Sequence, residues 1–162
     1  MRISKLIFPR SVALITTCSK EGKPNVASFS FIMPISFEPK YVGFSIAPGR
    51  HSFSNLKQVP EFVLNLVPKQ MLEKVKICGS FSGRYKDKFK LANLEIEPSI
   101  RVRPPRIKDC PIQLECKVVE LKQFGDHYLV VGEVLEEHVK EAKFDPLMHI
   151  SGEEFASPKR LD

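Results

Sequence analysis

A chain of 162 residues with 43% apolar and 27% charged side chains can bury a sizeable core, so a single domain over 1–162 is expected. No run approaches the roughly 20 apolar residues of a membrane span, and Met1 to Arg10 carries charges and Pro9 where an export signal needs an unbroken apolar stretch. A cytoplasmic protein with no membrane partner is the expectation. The net charge of +6, from 25 Lys plus Arg against 19 Asp plus Glu, favours an anionic partner, either nucleic acid or a phosphorylated small molecule.

Taken in order, the chain reads mostly as strand. Ser11 to Cys18 is β-branched and apolar on both parities, which predicts a buried strand. The polar Ser19 to Pro24 closes a hairpin onto Val26 to Ser36, where hydroxyls share one strand with Phe29, Phe31 and Ile32. Pro34, Glu38 and Pro39 interrupt that run before Tyr41 to Ala47 resumes it. Pro48 to Ser52 turns the chain, and Ser52 is the expected N-cap of a short helix through Gln58. Glu61 to Val67 predicts another strand. Pro68 then opens a helix with Met71, Leu72, Val75 and Cys78 on one face.

Gly79 to Gly83, G-S-F-S-G, reads as a small-residue loop, and Arg84 to Phe89 as a short basic helical segment. A brief strand is expected over Leu94 to Ile96, while Pro98 to Pro111 is too rich in proline for a regular element. Apolar residues alternate from Ile112 to Val118, and the phase slips at Val118-Val119, which predicts a β-bulge. Gly125-Asp126 is a two-residue hairpin turn into a return strand over His127 to Leu135. The charged Glu136 to Lys143 is expected to end the sheet, leaving Phe144 to Phe155 as a tail anchored by Leu147, Met148 and Phe155. Six or seven short strands with two or three short helices, and no alternating strand and helix repeat, predict a small, mostly antiparallel β-barrel.

The chemistry legible in the residues is an anion corner. Turn N–H groups, the hydroxyl of Ser52 and the basic Arg50 and His51 converge where a phosphate monoester would fit. From the residues alone, the serines also read as solvent-facing strand residues and Ser52 as a cap with no further role. Cys18, Cys78, Cys110 and Cys116 have no metal or C-x-x-C spacing; a Cys110 and Cys116 pairing is open, with free buried thiols expected. The four histidines are too dispersed for a metal signature, and no dinucleotide, P-loop or nucleophile-elbow motif occurs. Arg101 to Lys108 is basic but proline-broken, without the aromatic interleaving of a single-strand binder.

Pro24-Asn25, A-S-F-S, S-F-E-P-K-Y-V, S-I-A-P-G-R-H-S, the strand ending Val63 to Leu66, Asp87-Lys88-Phe89 and V-G-E-V at Val131 to Val134 follow one another in an order that resembles the flavin reductase-like family of FMN-binding split barrels, which includes flavoredoxins and ferric reductases. The resemblance runs from about Leu6 to Phe155 and implies a mainly β split barrel. It also implies FMN in a cleft at a homodimer interface, with NAD(P)H as donor and a free flavin, a ferric complex or a redox protein as acceptor. By the same resemblance Asn25, Ala27, Ser28, Phe29, Ser30 and Phe31 edge the ring and ribityl chain. Ser45 and Ile46 open the phosphate end, and Arg50, His51 and Ser52 close it. Lys88, His127 and Phe155 match further flavin positions, and no catalytic nucleophile or metal is required. The alternatives are a non-enzymatic flavin-binding electron carrier and, more remotely, a basic barrel that binds nucleic acid.

Overall fold

The computed structural model describes residues 1–159 and 161. Along them the chain forms β1 (Arg10–Ser11), β2 (Ala13–Cys18), β3 (Pro24–Phe29), β4 (Ile32–Phe37), β5 (Lys40–Ile46), α1 (His51–Gln58), β6 (Glu61–Leu66), α2 (Leu72–Ser80), α3 (Lys88–Leu91), β7 (Ile96–Glu97), β8 (Arg106–Ile107), β9 (Ile112–Phe124), β10 (His127–Val139), β11 (Met148–Ser151) and β12 (Glu154–Ala156). The main sheet has the order β3-β2-β6-β9-β10-β5-β4, and every pairing in it is antiparallel.

The consecutive strands β3 and β4 occupy opposite edges of this sheet, yet only Ser30 and Phe31 separate them. Three steps of extended chain span at most about 11 Å, whereas seven flat strands at roughly 4.8 Å spacing would hold those edges about 29 Å apart. The sheet therefore curls until its edges meet. Ring contacts across the curl agree: Phe44 of β5 lies edge-on to Phe29 of β3 and to Phe62 of β6, at 5.0 Å between centroids in each case. The single strand expected over Val26 to Ser36 is thus two strands, broken where the chain leaves one edge for the other.

β2 is buried on both faces because it lies between two cores. Ala13 and Ile15 join Phe44, Phe53, Phe62, Leu64 and Val130 inside the curl, while Leu14 packs with Val26, Val67, Val75 and Leu94 in the layer that includes α2. Each such side chain contributes about 1.5–3 kcal/mol by leaving water. The end of α2 lies hard against β3, since a Cβ on Gly79 would come within 2.7 Å of Ser28 Oγ and one on Gly83 would overlap Asn25 Oδ1. Residues without a Cβ are what permit that approach.

The hairpin of β9 and β10 matches the sequence pattern. Val131 pairs with Glu120 and Gly132 with Val118, leaving Val119 as the extra residue of the bulge, and Gly125 turns the chain at φ +60. β10 continues past Leu135 to Val139, because β9 offers partners down to Ile112. The tail is not loose. β11 pairs with both β1 and β12 in a second sheet, and Leu147 is buried. Within the proline-rich stretch, β8 pairs with β7. A 3-10 turn over Lys69–Met71 intervenes between Pro68 and α2, which runs through Gly79, and α3 starts at Lys88 with the Asp87 carboxylate accepting from Lys90 N. All four cysteines are free and buried.

One buried carboxylate ties the proline-rich segment to the barrel. Glu115 accepts from Ile100 N at 2.9 Å and Arg101 N at 2.6 Å and meets His138 Nε2 at 2.7 Å. Burial pushes this carboxyl up, but the N–H groups of Ile100 and Arg101, with His138, outweigh burial and hold it below the ordinary carboxylate value. A depressed folded-state value stabilises the fold above the unfolded value of about 4.3 and loses that contribution as pH falls through the folded one. Glu115→Gln turns an amide donor toward those N–H groups. Thermal and urea melts should show a loss of about 2–4 kcal/mol at pH 7, with a smaller loss of stability below about pH 4 than in the parent chain. Equal melts at both pH values would contradict this role.

Candidate functional site

A cavity of about 420 Å³ opens where the two sheet edges meet, between β3, the Ser30-Phe31 crossing, the start of α1 and the segment after α2. Asn25, Ala27, Ser28 and Phe29 of β3 form one wall with Ser30 and Phe31, and Ser45 of β5 faces them. Phe31 O accepts from Ser45 N at 2.9 Å, which fixes the crossing to β5. Arg50, His51 and Ser52 close one end, and Lys88 reaches the same end from α3.

That end differs from the expected helix cap. Arg50 holds the N-cap position without a side-chain cap bond, and α1 starts at His51, so Ser52 sits inside the first turn. Its hydroxyl is buried and accepts from Asn25 Nδ2 at 2.9 Å. Ser52 and Asn25 therefore orient each other across the cavity wall.

The charge at this corner is unbalanced. The lining includes Arg50, His51 and Lys88 but no carboxylate. Lys88 is only 5% exposed, donates to Cys78 O at 3.2 Å, and has no ion pair among the described residues. Burial lowers it to about 8, Cys78 opposes that shift, and Arg50 adds a smaller lowering. His51 is also lowered, first by burial and then by Arg84, Lys88 and Lys23, and its Nδ1 is buried with no hydrogen-bond partner among the described residues. A surface-helix lysine would show none of this.

Three expected residues lie outside this cavity. Ile46 is 1% exposed and belongs to the core inside the curl. His127 sits at the hairpin turn, bonded to Asp126 Oδ1 at 2.8 Å, with its ring 6.1 Å from that of Phe31. Phe155 stacks on His149 at 5.0 Å and lines an adjoining cavity of about 290 Å³, which shares Ser28, Phe29, Ser30 and Arg50 with the first. Conversely, sequence reasoning missed Ala47, Gly49 and the whole stretch Cys78 to Gly83 as cavity wall. The signal was the glycine at each end of G-S-F-S-G, where backbone and β3 come into contact.

These residues fit a flavin mononucleotide. The orphaned His51 Nδ1 and the unpaired Lys88 suit an anion with acceptor oxygens, while Phe29, Phe31 and Phe81 supply apolar wall. Among the described residues no group of His, Cys, Asp and Glu is placed to hold a metal, and no helix is long and apolar enough to cross a membrane.

Comparison with known proteins agrees with this geometry. The chain is 37% identical over 129 residues to an uncharacterized protein of Archaeoglobus fulgidus, covering 80% of this chain and 72% of that one. A split barrel domain protein from Shewanella frigidimarina superposes with a TM-score of 0.90 at 20% identity, over 99% of this chain and 87% of the other. The FMN-binding protein of Thermus thermophilus gives a TM-score of 0.87 at 22% identity, over 95% and 89%. Residues 4–156 match the family described as Flavin reductase like domain, and to that family, with its split barrel fold, this chain belongs.

Proposed function

We propose that this chain is a single-domain, FMN-binding oxidoreductase that takes electrons from NAD(P)H and delivers them to free flavin, a ferric complex or a redox protein. The observation that carries the reading is the carboxylate-free corner of Arg50, His51, Ser52 and Lys88 beside an aromatic-walled cavity. In it, Arg50 and Lys88 neutralise the phosphate, Ser52 donates its O–H while Asn25 holds its oxygen, and neutral His51 donates from Nδ1. Bound FMN supplies the centre that accepts hydride and releases electrons, so the chain needs no nucleophile of its own. Its own residues bind, orient and exclude water. The FMN-binding protein of Thermus thermophilus, with the same fold, supports the choice of flavin. Anaerobic titration with NADH and with NADPH should bleach the flavin absorbance, and reoxidation trials with each acceptor class then identify the partner.

A homodimer completes the proposal. Met33, Ile35 and Phe37 of the edge strand β4 are exposed, Phe37 at 95%, and an apolar groove of about 360 Å³ beside them is lined by Ile3, Ile7 and Phe31. A bare apolar edge strand invites pairing or cover. Sedimentation of the FMN-loaded protein should give twice 18.4 kDa, and a mass of 18.4 kDa would refute the dimer.

Phosphate recognition predicts that FMN binds well ahead of riboflavin. Arg50→Ala should erase much of that gap, at about 10- to 100-fold for a charge-assisted bond of roughly 1.5–3 kcal/mol. Fluorescence titrations giving equal affinity for both ligands in the parent chain would exclude a phosphate at this corner.

The buried Lys88 makes a prediction with two signs. In the free protein it is protonated below about 8, so FMN affinity should fall as pH rises through that value. Because burial lowers Lys88 below its unfolded value, its charge costs stability at pH 7, and that cost fades as pH rises through about 8. Lys88→Met should therefore weaken FMN binding and remove its pH dependence near 8, while raising the melting temperature of the flavin-free chain at pH 7. Lys86→Met removes the same charge from an exposed residue and should do neither. Identical behaviour of the two variants would show that Lys88 acts only as general positive charge.

A further inference from the structure

Arg10 lies outside the cavity and belongs to none of the motifs that mark the site, yet its guanidinium collects more segments than any other cation described here. Nη1 donates to Ser4 O at 2.5 Å and also to Ile7 O, which holds the N-terminal 3-10 turn. Nη2 donates to His149 Nδ1 at 2.9 Å and to Ile150 O at 3.3 Å on β11. Nε donates to Ser30 Oγ at 3.4 Å, and the guanidinium carbon sits 5.6 Å from the centre of the Phe31 ring. Arginine carries donors only, five of them in a rigid fork.

That donor-only character fixes the neighbouring imidazole. His149 Nδ1 must accept from Arg10, and Nε2, 3.0 Å from the acceptor Gly152 O, must carry the proton. The histidine is thus a neutral strut. Its Nδ1 also lies 3.1 Å from Ser30 Oγ. Ser30 is held from two sides, by a guanidinium and by the imidazole which that guanidinium orients.

Position makes this consequential. Ser30 and Phe31 are the two residues that cross between the edges of the main sheet, and both line the cavity. Neither belongs to a strand, and the bond from Ser45 N to Phe31 O holds only backbone, so the Ser30 hydroxyl and the Phe31 ring are oriented by side-chain contacts. We propose that Arg10, through His149 and its face-on contact with Phe31, is a positioning residue that sets the Ser30 hydroxyl and the Phe31 ring for the ring end of the bound flavin. This rests on the flavin reading above.

The test compares Arg10→Lys and Arg10→Ala with the parent chain, using FMN and riboflavin affinity and the visible circular dichroism of bound FMN. Lysine keeps the charge but has no fork to bridge His149, Ser30 and the three carbonyls at once. Both variants should lose about 5- to 20-fold in affinity for FMN and for riboflavin alike. The ratio of the two affinities should stay at the parent value, because the phosphate corner is untouched, and the dichroism of the bound flavin should change. Should Arg10→Ala fail to melt cooperatively, Arg10→Lys decides alone. Parent-like affinities and dichroism in folded Arg10→Lys would overturn the proposal, as would a loss confined to FMN. A parent chain that binds no flavin would instead overturn the reading on which it rests.

Discussion

Two residues of chain, Ser30 and Phe31, bridge strands that are six positions apart in a seven-stranded sheet, and the rest of the structure follows from how short that bridge is. It forces the curl, the curl brings Phe29, Phe44 and Phe62 together as an interior, and the place where the edges meet cannot be filled by a continuous ladder. A cavity remains at that join. α1 and the segment after α2 wall it, the latter able to approach β3 because Gly79 and Gly83 have no side chain in the way.

The second constraint is electrostatic. A lysine with 5% exposure and no ion pair among the described residues is an unfavourable arrangement for folding, and burial answers by making it less basic. On the proposed reading, an incoming phosphate would reverse the balance by supplying the missing charge. The proposed corner would thus give up some stability in the free chain for affinity when loaded, a trade found where a site is built for binding rather than for the fold. Glu115 is the opposite case. Its carboxylate is equally enclosed, but N–H donors and His138 satisfy it internally, so it serves the fold alone.

Legibility in the sequence tracked how local each feature is. The β9 and β10 hairpin could be read residue by residue, including the bulge at Val119, because alternation and the Gly125-Asp126 turn are local signals. The break at Ser30-Phe31 could not, since the strand pattern runs unbroken through it and only the distant pairing of β4 with β5 reveals the change of edge. β11 was hidden for the same reason, being a short strand whose partner in β1, Arg10, lies 139 residues from His149. Ser52 has the residue type of a cap, and nothing local distinguishes a cap from a buried hydroxyl bound by Asn25. Lys88 looked like a solvated helical turn; its burial depends on α2 and β3, and only the resemblance of Asp87-Lys88-Phe89 pointed to it.

On the proposed reading, the join of the two sheet edges holds the flavin with its phosphate at the Arg50 corner. A crystal structure of the FMN-loaded protein tests it most directly. Phosphate oxygens should lie within hydrogen-bonding distance of Arg50, Ser52 and Lys88, with the ring against Ser28 to Phe31. Phosphate density instead in the larger cleft of about 860 Å³ lined by Lys74, Lys108 and Lys140, with the Arg50 corner left to solvent, would contradict it.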